Sequence, residues 1–73
     1  MNISRHKLLK ELEYFLNVYG ISITKDEPTK RHRKVWVTDG TKTAMIVVSV
    51  SPSDHRAFMN MAKTARNALR EAP

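Results

Sequence analysis

The sequence predicts an α+β domain of order α-β-β-β-α, a three-stranded antiparallel sheet with both helices packed on one of its faces. Three observations carry that prediction. Apolar residues recur at helical period near both ends of the chain, over residues 4–19 and 51–71. Between them lie short runs rich in β-branched residues, broken by Pro28 and by Asp39-Gly40. The length of 73 residues allows one domain, residues 1–73, and so small a sheet has a single core for the two helices to share.

The first helix is expected over residues 4–19. Leu8, Leu12, Phe15, Leu16 and Tyr19 fall on one face, and Lys7, Lys10, Glu11 and Asn17 take the wetter side. Asn2 or Ser4 caps its start, and Gly20 suits a left-handed stop. A short strand, Ile21 to Lys25, alternates apolar with polar residues until Pro28, which cannot donate to a ladder. The second strand runs from about Arg33 to Thr38 and the third from Lys42 to about Val50.

Between these strands, Asp39-Gly40 is a strong signal for a two-residue hairpin turn. Such a turn pairs Thr38 with Thr41 and Val50 with Thr29. It lines Val35, Val37, Ala44, Ile46, Val48 and Val50 on the core face, and His32, Lys34, Trp36, Thr43, Met45 and Val47 on the other. Ser51 as N-cap, Pro52 at the first helical position and Asp54 in a capping-box spacing open the last helix, which runs to about Glu71. Phe58, Met61, Ala62, Ala65 and Leu69 form its buried face.

Composition narrows the function classes. With no cysteine there is no disulfide framework and no thiolate metal site. Thirteen Lys and Arg against seven Asp and Glu give a net charge of +6, which favours polyanionic partners: RNA, DNA or an acidic protein. No apolar run approaches the roughly 18 residues of a membrane span, and the N-terminus lacks the apolar segment of a signal peptide, so a cytoplasmic protein without a membrane partner is expected. No histidine pair has the i,i+4 spacing of a helical metal site, and neither metal nor cofactor is expected.

The candidate binding residues lie in two segments. Lys30, Arg31, His32, Arg33 and Lys34 run unbroken into the Trp36 strand, where cations beside an aromatic ring suit phosphate attraction with base stacking. On the last helix, Arg56, Asn60, Lys63, Asn67 and Arg70 cluster opposite the buried face without an acid among them. A solvated helix ordinarily mixes signs to gain i,i+4 pairs, so a stripe of one sign points to a polyanion or an acidic protein surface. The two-residue turn would also set the start of that helix, with His55, beside Lys30 to His32 as a composite anion seat. His32 is the candidate acid–base group, because an imidazole titrates near neutrality. The open sheet face, with Trp36, is a candidate surface for a homodimer.

The α-β-β-β-α order together with "RHRKVWVTDG" resembles the HicA family of small toxins, whose fold is like that of double-stranded-RNA-binding domains. The similarity spans essentially the whole chain on a short motif, with the family histidine falling on His32 and the family turn on Asp39-Gly40. It implies a metal-independent endoribonuclease acting on mRNA through His32, neutralised by an antitoxin. The family's Gly and Ser before the histidine are Lys30 and Arg31 here, and its aromatic strand position is Val35. Residues 51–73 also look like the end of small proteins common in phages and prophages. Three functions follow as expectations: a small RNA- or nucleic-acid-binding domain of phage or bacterial type, a HicA-like endoribonuclease with His32 as its catalytic group, and a phage-encoded module that docks on an acidic host protein.

Overall fold

The computed structural model of the chain describes residues 5–49 and 55–72, without the side chains at positions 5 and 55. Its order is α1 (Arg5–Asn17), β1 (Ser22–Pro28), β2 (His32–Thr38), β3 (Thr43–Ser49) and α2 (His55–Glu71), the expected α-β-β-β-α. The strands form one antiparallel sheet in the order β1-β2-β3. The expected caps Asn2, Ser4, Ser51, Pro52 and Asp54, and the expected core residue Val50, lie outside the described residues.

Helix α1 buries Leu8, Leu12 and Leu16, each one turn from the next. It ends in a Schellman arrangement. The N–H of Ile21 donates to the carbonyl of Leu16 and that of Gly20 to the carbonyl of Asn17, with Gly20 at φ +72°. Ile21 and Leu16, the two apolar residues this motif brings together, are both buried. Phe15 is half-buried and stacks on Phe58 of α2, ring centroids 6.3 Å apart.

Strand β1 continues three residues beyond the expected Lys25 and takes Pro28 as its last residue. It is an edge strand, and only there does a sheet accept proline. A bulge between Ile23 and Lys25 leaves Thr24 as the extra residue, whose hydroxyl donates to the carbonyl of Trp36 at 3.2 Å. Three residues, Thr29 to Arg31, separate β1 from β2. The Thr29 N–H donates to the His32 carbonyl at 2.8 Å, and the His32 N–H donates to the Thr29 hydroxyl at 3.0 Å.

The expected two-residue turn between β2 and β3 is not formed. Thr38 pairs with Thr43, so the loop holds four residues, and Ser49 rather than Val47 lies opposite His32. Asp39 is the reason. Its Oδ1 accepts hydrogen bonds from the N–H of Thr41 (2.9 Å), the Thr41 hydroxyl (2.9 Å) and the N–H of Lys42 (2.8 Å), an arrangement that needs the longer loop. Gly40 alone takes a positive φ, whereas the two-residue turn requires it at Asp39 as well. The slip is of two positions, so every described side chain of the pair keeps its expected face.

One core results. Leu8, Leu12, Leu16, Ile21, Val35, Val37, Ile46, Val48, Phe58, Ala62, Ala65 and Leu69 are buried, and among the described residues no polar or charged side chain joins them. Met61, expected in this core, packs at its margin. Helix α2 lies mainly on β3 and secondarily on β2, and α1 lies on β1 and against α2. The other sheet face has no helix over it among the described residues.

Candidate nucleic-acid interface

Helix α2 presents Arg56, Asn60, Lys63, Asn67 and Arg70 exposed along its outer side. At 1.5 Å per residue the three cations stand about 10 Å apart. No Asp or Glu occurs between Arg56 and Arg70, and none of the three cations is ion-paired among the described residues. Arg56, Met59, Asn60 and Lys63 line a shallow depression of about 350 Å³.

Arg66 is a further exposed cation of this helix that the expected stripe omitted. Its guanidinium lies 4.8 Å from the ring centroid of Tyr19, a cation–π contact. Tyr19, expected on the apolar face of the first helix, is 36% exposed and lies beyond the end of α1. The sequence signal was available in the break that Gly20 imposes, which puts Tyr19 at a helix end rather than on a helix face. Tyr19, Arg66, Arg70 and Asp39 share the rim of a second depression of about 250 Å³. Asp39 is the acid on that rim, and its Oδ1 already takes its own loop's donors.

The basic run from Lys30 to Lys34 separates into three environments. Lys30 and Arg31 form the tip of the β1–β2 turn and are exposed. His32 and Lys34 point to the open face, where His32 is opposite Ser49 and Lys34 lies between Glu27 and Val47. Arg33 points to the helix side. It pairs with Asp26, and the two side chains keep only 13% and 10% of their exposure. The bulge at Thr24 causes this, because it sets Asp26 opposite Val35 on the core side of the sheet.

Trp36 occupies the middle of the open face, half-buried, with Met45 beside it on β3 and Lys25 beside it on β1. The Lys25 ammonium is 4.8 Å from the indole ring and 2.9 Å from the Glu27 carboxylate. The cations nearest the tryptophan thus share their face with an acid.

These placements divide the candidate residues between two opposite sides of the molecule. Arg56, Lys63 and Arg70 crown the helix layer, while His32, Lys34 and Trp36 lie under the sheet. The tip residues Lys30 and Arg31 stand at the end of the sheet where β3 leaves for α2, the same end as Arg56. Residues 51–54, which the composite anion seat took as the start of the last helix, fall outside the described residues, as does the side chain of His55. Over the described residues, β3 pairs Val48 with Arg33 and Ser49 with His32, two positions from the register on which that seat was expected.

Among the described residues no cluster of three His, Asp or Glu side chains could hold a metal ion, and no helix is long and apolar enough to cross a membrane. No family model matches the chain, and no curated protein or solved structure is significantly similar to it.

Proposed function

We propose that this chain is a small nucleic-acid-binding domain that grips the phosphates of structured RNA with the outer side of α2 and the tip of the β1–β2 turn. The carrying observation is the acid-free row of exposed Arg56, Lys63 and Arg70, extended by Lys30 and Arg31 at the Arg56 end. A row of cations on a preformed helix meets a phosphate backbone with only side-chain ordering to offset, and releases counterions as it does so. Arg33 contributes to folding instead, through Asp26.

The test is binding to a structured RNA and to duplex DNA across a salt series. Affinity should fall steeply with added salt, and changing Arg56, Lys63 and Arg70 together to Gln should reduce the slope of log K against log salt by about 2 to 3, while the thermal unfolding curve stays close to that of the wild type. Absence of binding to either nucleic acid at low salt would overturn the proposal and favour docking on an acidic protein. Cleavage of the RNA without added metal would instead favour a HicA-like endoribonuclease.

A further inference from the structure

The two edges of the sheet are built differently. β1 carries the devices that keep an edge strand from pairing: a bulge, three charged residues in succession (Lys25, Asp26, Glu27) and a terminal proline. β3 has none of them. From Thr43 to Ser49 it holds no charge, no proline and no glycine, and its pairing with β2 is regular throughout. Among the described residues it has a strand neighbour on one side only. Beside that edge, on the open face, Met45 and Val47 remain 43% and 54% exposed.

We propose that two copies of this chain join through their β3 edges about a two-fold axis at Ile46, merging two three-stranded sheets into one. The strand is self-complementary about that residue. In antiparallel pairing Met45 meets the second copy's Val47 on the open face, and Ala44 meets its Val48 on the helix side. The two most exposed apolar residues of the strand therefore cover each other, and no charged side chain is placed opposite its own kind.

Helix α2 fits the same axis. Met59, Ala62 and Arg66 line its α1 flank, against Phe15, Val18 and Tyr19. The helical period then places Ala57, Met61, Thr64 and Ala68 on the opposite flank, above the outer edge of β3. That flank is mostly small and carries no charge before Glu71, which the same period adds at its C-terminal end. A helix seated chiefly on β3 and partly on β2 lies about one strand spacing from the axis, so the two helices would run roughly 10 Å apart, the ordinary packing distance. Both cationic stripes would then crown one side of the dimer.

Sedimentation equilibrium of the unmodified chain tests this without any nucleic acid, so its outcome is separate from that of the binding proposal. The expected mass is twice 8.4 kDa. Val47→Lys, at an exposed position, should keep the wild-type circular dichroism and weaken the dimer roughly a hundredfold, since an apolar contact is lost twice and two cations come within about 8 Å. The register has its own test, because the sequence contains no cysteine. Met45→Cys chains mixed with Val47→Cys chains should form a disulfide between chains under mild oxidation, and either variant alone should not. A wild type that stays at 8.4 kDa at its highest soluble concentration would overturn the proposal. So would a dimer in which the mixed disulfide fails to form, whatever Val47→Lys does.

Discussion

At the scale of single residues, Asp39 and His32 make opposite kinds of prediction. Three donors hold the Asp39 carboxylate in its charged form and lower its pKa from 3.8 to about 2. A depressed pKa contributes stability that is complete above 3.8 and is lost as the pH falls through about 2. Asp39→Asn keeps an acceptor in the loop but cannot titrate. The urea midpoint of wild type should therefore exceed that of the variant above pH 4 and converge towards it near pH 2, whereas a constant difference would show that the loop's hydrogen bonds do not depend on the charge. His32 lies on the open face, away from the α2 cations. His32→Ala should leave RNA affinity within about twofold, because one side chain on the far face adds little to a phosphate grip made by the α2 row. A nuclease working through this imidazole would instead lose about 10²–10⁴-fold in cleavage rate while still binding. Comparing cleavage by the two proteins without metal separates the cases.

At the scale of elements, α2 is held by the face that carries Phe58, Ala62, Ala65 and Leu69, and Phe58 stacks on Phe15 to join the two helices. Phe58→Ala should cost about 3–5 kcal/mol. That approaches the whole stability of a domain this size, so the circular dichroism of the variant should be that of an unfolded chain at 25 °C. A cooperative thermal transition near the wild-type temperature would contradict the packing described. Both helices, all three strands and both faces of the β2–β3 pair were legible in the sequence, because hydrophobic periodicity records burial directly. The loop length after Thr38 was not. Asp39-Gly40 signals a turn, but the choice between two and four residues rests on how many donors the carboxylate captures, and composition does not carry that. The second half of β1 was hidden for another reason. Lys25, Asp26 and Glu27 look like loop, and only pairing with β2 makes them strand. The same blind spot kept Arg33 among the candidate ligand-binding cations, since its partner Asp26 faces it only once the bulge is known.

At the scale of the whole molecule, the net charge of +6 bears on both proposed associations with opposite sign. Added salt screens the attraction to phosphate and releases less counterion entropy, so binding to RNA weakens. Two copies carrying +6 each repel, and the contact proposed at β3 is apolar, so the same salt should strengthen self-association. Measuring both equilibria over one salt series should give slopes of opposite sign. Parallel slopes would mean that the dimer contact is ionic, which Met45 and Val47 cannot supply.

The bulge in β1 also bears on how this chain can change in length. In a regular strand, losing one residue turns everything on one side of the gap inside out. Thr24 is different, since it has no partner of its own in the ladder: Ile23 already faces Val37 and Lys25 already faces Trp36. Its deletion would close the ladder and leave every existing pair of β1 as it stands. β1 thus holds one spare residue, at a point where a shorter relative could arise without moving Asp26 away from Arg33 or Lys25 away from the tryptophan. Apart from a smoother and less protected edge, such a relative would be the same protein.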